Sequence, residues 1–204
     1  MGAEKRSRGG ICGERRRKAA PEAEKLSRFE NALAEEHFSL ARSASPAVRP
    51  LLLFYGLFHL AKATYATLTG RPFRERVHGL TCRFPKGREP SSISEVRVGL
   101  KAKGAFRLFE SLYDPHPIPA GVSFSLEELI EGKGHAAKIP SLSRHYLALF
   151  GLSIVARYEP QLWEEALAGE DPTSAALLSY LERVAEECRR EVASVVERRY
   201  KPQQ

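Results

Sequence analysis

His59 and Lys62 stand three residues apart inside the most apolar stretch of the chain, LLLFYGLFHLAKATYATLTG at residues 51–70. On a helix that spacing puts both side chains on one face, where an imidazole and an ammonium could together take a phosphate. Their apolar company favours the other use of such residues, a polar pair satisfied by neighbours inside a helical core. Phe54, Tyr55 and Phe58 read in the same way, as core packing rather than a base-stacking platform. A second group lies at the ends of SRHYLALFGLSIVARYEP. Arg144, His145 and Tyr146 open this apolar segment, and Arg157, Tyr158 and Glu159 close it. Polar groups in such places satisfy helix termini, and they could also line a cleft with His78. The candidate binding residues are therefore His78, Arg144, His145 and Arg157. EGKGHAAK, from Glu131 to Lys138, has two glycines around Lys133 but lacks the Gly-x(4)-Gly-Lys-Ser/Thr spacing of a phosphate loop. It reads as a mobile loop.

The elements that must position these groups are mostly helical. From Glu22 to Ser43, Leu26, Phe29, Leu33, Phe38 and Leu40 recur at helical spacing among charged residues. SASPAVRP, residues 43–50, is a turn limited by two prolines. A second helix runs from about Pro50 to Leu68 and is stopped by Gly70 and Pro72. SEVRVGL, residues 94–100, alternates with period two and predicts a strand. AFRLFESLY could return as its hairpin partner, which places a β-hairpin near residues 94–112. DPHPIPAG, residues 114–121, is neither helix interior nor central strand. Ser125 followed by Glu128 is a capping-box pattern that opens a short helix. Residues 141–160 form an apolar helix. Residues 171–200 form another, with Asp171 as N-cap, Pro172 at the first turn and a stripe of Leu177, Leu181, Val184, Cys188, Val192 and Val195. Glu186 and Arg190 stand at i, i+4 in the favourable order.

The expected architecture is a mainly α, single helical domain over residues 22–200 with a small inserted β-hairpin, preceded by a disordered basic arm over residues 1–21. The chain has 204 residues and a formal net charge of +7. Residues 1–20 hold seven basic and two acidic side chains, so five of those seven charges belong to the arm. The high isoelectric point is thus a poor indicator of nucleic-acid binding by the folded body, although the arm could touch RNA or an acidic protein surface. Cys12, Cys82 and Cys188 are odd in number, widely spaced and without a C-x-x-C, which argues against a disulfide framework or a zinc site and fits a reducing cytoplasm. No metal and no cofactor are expected. Residues 51–70 nearly suffice to span a bilayer, but a charge at its centre costs roughly 2.5–3.5 kcal/mol. Lys62 at mid-segment therefore argues for a core helix and against a membrane span.

Four pieces follow one another in a recognisable order: VRPLLLFYGLFHLAKA, then HGL after a glycine break, then EVRVGLKAKGAFRLF, then HYLALFGLSIVARYEPQLW. In this the chain resembles the YaaC-like proteins, a bacterial family, over about residues 25–200. The resemblance implies a helical cytosolic module without a defined chemistry. The aromatic and small residues before LAKA, with the glycine break and HGL, are also similar to HEPN domains, helical bundles associated with nucleotides or RNA. Many of these carry an Arg-x(4–6)-His motif that serves a metal-free ribonuclease. Arg71 and His78 meet that spacing formally, and the resemblance would make His78 the proton carrier and Arg71 the phosphate clamp. Pro72 interrupts any helix that would align them. The expected function is a non-enzymatic module that binds a partner protein or RNA. The alternative is a HEPN-like metal-independent ribonuclease or nucleotide-binding protein. Homo-oligomerisation is left open.

Overall fold

A computed structural model describes residues 21–169 and 172–200. The basic arm, except for Pro21, and the expected Asp171 cap lie outside these residues. Helix α1 (Pro21–Ser43) begins at Pro21, a residue suited to the first turn of a helix, and runs antiparallel to α2 (Arg49–Thr69). The link between them is held by Trp163, whose indole N–H donates to the Ala47 carbonyl at 3.1 Å. Helix α2 ends at Gly70, which takes the left-handed conformation (φ 66°) and returns its N–H to the Ala66 carbonyl.

The face that α1 buries is not simply its recurring large apolar residues. Ala23, Glu30, Ala34, Phe38 and Ala41 turn inward, while Phe29 is 60% and Leu40 50% exposed. Small residues decide this, because they let the two helices approach. A Cβ on Gly56 would stand 2.6 Å from the Phe38 ring. The helix therefore turns its alanines toward α2 and leaves two larger side chains outside. Helix α2 is the one described helix long and apolar enough to cross a membrane by length and composition. It is covered from several sides by α1, α5 (Ser141–Tyr158), α7 (Pro172–Tyr200) and α3 (Ala105–Glu110).

The small sheet is antiparallel and three-stranded, in the order β1 (Leu80–Arg83), β2 (Arg97–Leu100), β3 (Ser123–Ser125). Leu80 faces Leu100 across the first pair, and Val98 faces Phe124 across the second. Strand β2 lies where alternation placed it, but its partners come from outside residues 94–112. The expected return strand is instead α3, whose buried Ala105, Phe106, Phe109 and Glu110 follow helical spacing. Glu110 is fully buried. It takes Arg107 at 2.7 Å and the Ile118 N–H at 3.1 Å, so it pins the proline-rich loop. The capping box at α4 (Leu126–Glu131) is formed: the Glu128 N–H donates to Ser125 Oγ at 3.1 Å, and Glu128 accepts from the Ser125 N–H at 3.0 Å. EGKGHAAK holds the end of α4 and a 3₁₀ turn over Gly134–Lys138, so it is structured rather than an open loop. Helix α6 (Pro160–Ala168) follows α5 directly, with Pro160 at its first turn. The α7 stripe is buried from Leu177 to Val195 as its spacing requires. On the same helix Glu186 meets Arg189 at 2.6 Å and Arg42 at 3.7 Å, rather than Arg190.

Candidate functional site

His78 is set in place by backbone. The Val77 and His78 carbonyls accept from the N–H groups of Ala105 and Phe106 at 2.8 and 3.1 Å, satisfying the first donors of α3. This crossing requires Gly79. Its φ is +76°, and a Cβ there would lie 2.4 Å from the Lys103 carbonyl oxygen. Gly104, opposite, has φ +132° and equally close neighbours. The His78 ring then enters a box of Phe54, Phe58 and Phe150, with centroid separations of 5.1, 5.0 and 5.7 Å. Its Nδ1 is sealed from solvent and has no hydrogen-bond partner. Burial, helped by the charge of Arg157, lowers its pKa below the ordinary histidine value, so the ring is neutral at neutral pH.

Arg157 lies in the last turn of α5, fixed by its Nε–H to the Ser153 carbonyl at 2.8 Å. Its guanidinium stands over the ring of Tyr158, 5.3 Å from the centroid. Tyr158 is 66% exposed, and Val77 beside His78 is 62% exposed. Arg71, Arg74, Arg76 and Arg83 are exposed on the segment leading into and through β1. The Cys82 thiol on that strand is pushed up to about 12 by burial and is no nucleophile at neutral pH.

Phe58 connects this region to a polar cluster between α1 and α2. The buried carboxylate of Glu30 accepts from His59 Nδ1 at 2.5 Å and from Lys62 Nζ at 2.6 Å. Lys62 also stands 5.3 Å from the centroid of Phe58. Burial, countered in part by the Glu30 hydrogen bond, lowers the His59 pKa. The ring is therefore neutral, and one carboxylate balances one ammonium. The His59 ring also lies 5.1 Å from that of His37, whose Nδ1 is 2.8 Å from the Leu33 carbonyl. His59 and Lys62 do share a face, as their spacing requires, and both turn to Glu30.

A third group forms where α5 meets α7. His145 is 1% exposed, with Nδ1 3.3 Å from the Tyr180 hydroxyl and Nε2 3.4 Å from Glu187. Burial together with Arg144, Arg183 and Arg190 outweighs the nearby carboxylates and pushes its pKa down to about 3. Arg144 crosses Gly132, where a Cβ would come within 2.6 Å of the guanidinium. This group ties α5 to α7 and to the end of α4.

Of the expected binding residues, then, Arg157 is the one whose charge reaches His78, and Arg144 and His145 form a separate group. Arg157 and His145 stand toward opposite ends of α5, about 18 Å apart at 1.5 Å per residue. The charge that acts on His78 is Arg157 rather than Arg71, which is exposed beyond the end of α2. The residues that spacing did not single out are Glu30 and His37. Glu30 had a signal, because it falls on the same helical face as Ala23, Ala34 and Ala41. Tyr158 was named at the end of the apolar segment, but its exposure depends on where α5 ends.

A family model described as YaaC-like Protein matches residues 12–132 and 130–195. No curated protein and no solved structure matches the chain.

Proposed function

The chain belongs to the YaaC-like family, and on that premise we propose that it is a non-enzymatic cytosolic module that holds single-stranded RNA. The observation that carries this reading is the exposed Tyr158 ring stacked by the Arg157 guanidinium. An aromatic face beside a cation takes a nucleobase whatever its sequence, and such stacking contributes about 1–3 kcal/mol per base. The exposed arginines at 71, 74, 76 and 83 supply phosphate contacts, and the basic arm extends them. Glu75 and Glu159 reduce the local charge, so binding is modest and salt-dependent. His78 contributes shape rather than chemistry. A proton carrier must reach its substrate, and one of the two His78 ring nitrogens, Nδ1, is closed off. In this reading α2 stays in the core of a soluble protein.

One observation favours a second reading, the HEPN-like metal-free ribonuclease: a neutral histidine feels the charge of an arginine, with Arg157 in the role that the motif would give Arg71. A single experiment addresses both. Fluorescence anisotropy with a labelled oligouridine in EDTA measures binding, and a gel of the same samples measures cleavage. Tyr158→Ala is expected to weaken binding at least about fivefold, with the RNA intact. Arg157→Ala is expected to reduce the slope of log affinity against log salt by about 0.7. Binding that is unchanged in both variants would remove the RNA reading. Cleavage lost in His78→Ala would establish the enzyme. Removing residues 1–20 tests the arm, since an unchanged salt slope means that it touches no phosphate.

A further inference from the structure

We propose that His37 and His59 form a binding site for a tetrahedral divalent transition ion of the zinc class. This goes beyond the RNA reading and does not depend on it.

The tautomers come first. The Leu33 carbonyl can only accept, so His37 Nδ1, 2.8 Å away, is the protonated nitrogen. The Glu30 carboxylate can only accept, so His59 Nδ1, 2.5 Å away, is protonated too. A single ring proton on Nδ1 leaves the lone pair of each imidazole on Nε2. Neither Nε2 has a hydrogen-bond partner among the described residues, and neither is a sealed, unsatisfied atom. Metal-binding histidines are held in this way: the nitrogen not used for the ion donates to a carboxylate or a backbone carbonyl, which fixes the ring and raises its basicity.

The separation fits as well. Two imidazoles bound through Nε2 at about 2.05 Å to one tetrahedral ion have ring centroids about 5.2 Å apart, and a right-angled arrangement would bring them to about 4.5 Å. The rings of His37 and His59 are 5.1 Å apart. They come from facing helices and are 22 positions apart in the chain. Glu30 is not a ligand, because its two oxygens are engaged by His59 and Lys62. It neutralises Lys62, which would otherwise repel a cation. Among the described residues no group of three or more His, Cys, Asp or Glu side chains is arranged to hold an ion. Two waters would therefore complete the coordination, which makes the site open and exchangeable rather than structural.

The test is calorimetric titration of the EDTA-stripped full chain with Zn²⁺ at neutral pH, together with the visible absorption of Co²⁺ in the same site. One equivalent of Zn²⁺ is expected to bind, and Co²⁺ is expected to show the intense bands of a tetrahedral ion. His37→Ala and His59→Ala should each weaken Zn²⁺ at least about tenfold, and Glu30→Gln about tenfold through the ring it orients. His116→Ala and His135→Ala, on exposed turns, should leave the affinity unchanged. Zn²⁺ should raise the melting temperature of the wild type and not that of His37→Ala. His37 lies outside the core, so His37→Ala keeps its fold and remains informative if His59→Ala does not. Absence of binding, octahedral Co²⁺, or equal affinity in His37→Ala would overturn the proposal.

Discussion

Replacing Glu30 by Gln removes one charge and almost no volume from the α1–α2 interface. Its effect can be worked from the contacts. The carboxylate side chain is 6% exposed and takes two charge-assisted bonds, from Lys62 at 2.6 Å and His59 at 2.5 Å. A hydrogen bond to a charged group contributes about 1.5–3 kcal/mol, and breaking a buried pair costs about 3–5 kcal/mol because the remaining charge is stranded. Lys62 is 18% exposed, so its ammonium can reach water by turning along its stem. The amide oxygen of Gln can still accept from one of the two donors. The net loss is therefore about 2–3 kcal/mol, a fall in Tm of roughly 5–10 °C for a domain of this size. Adding Lys62→Met removes the stranded charge and should restore about 1 kcal/mol or more, so the double variant is more stable than the two single losses added together. Urea unfolding followed by circular dichroism, with the denaturant slope held common, measures all four proteins. A Glu30→Gln midpoint equal to wild type, or strict additivity in the double variant, would refute the view that the carboxylate is there to hold both partners.

Two further outcomes follow from the same contacts. Gly79→Ala must strain a backbone at φ +76° and move the Lys103 carbonyl. It should cost at least about 3 kcal/mol in the same unfolding assay, and a loss under about 1 kcal/mol would mean that the crossing is not tight. His145, with its pKa pushed down to about 3, stays neutral in the folded state while the unfolded chain takes up a proton below about pH 6.5. The unfolded state then binds more protons, so stability falls as pH drops from about 6.5 toward 3, by up to about 1.4 kcal/mol per pH unit for this one group. His145→Gln should flatten the acid limb of a stability–pH curve by about one proton. An unchanged slope would place the ring's proton elsewhere.

Much of the architecture was legible because it is local. The capping box of Ser125 and Glu128, the left-handed Gly70, the proline start at Pro172, and the α7 stripe from Leu177 to Val195 all depend on residues within a few positions of one another. The strand at 97–100 was legible for the same reason, whereas its partners were not. Pairing with 80–83 and 123–125 is decided across the chain, and the α3 segment took its form from the carbonyls of Val77 and His78. The inward face of α1 was not legible, because large apolar residues outweigh alanines in a periodicity, while close helix contact favours the alanines.

For the candidate site, sequence named His59, Lys62, His78 and Arg157 as polar residues in unusual places. By itself it determined the helices that carry His59, Lys62 and Arg157, the family, and the face shared by His59 and Lys62, since spacing within one helix is set by its own hydrogen bonds. Only the tertiary structure decided the partners: Glu30 for His59 and Lys62, and His37 for the other side of the His59 ring. It also set the charge of Arg157, rather than that of Arg71, against His78. The physical reason is that a charge or a lone pair is satisfied by whatever lies within a few ångströms. Across packed helices, that neighbour is chosen by how close two backbones can come.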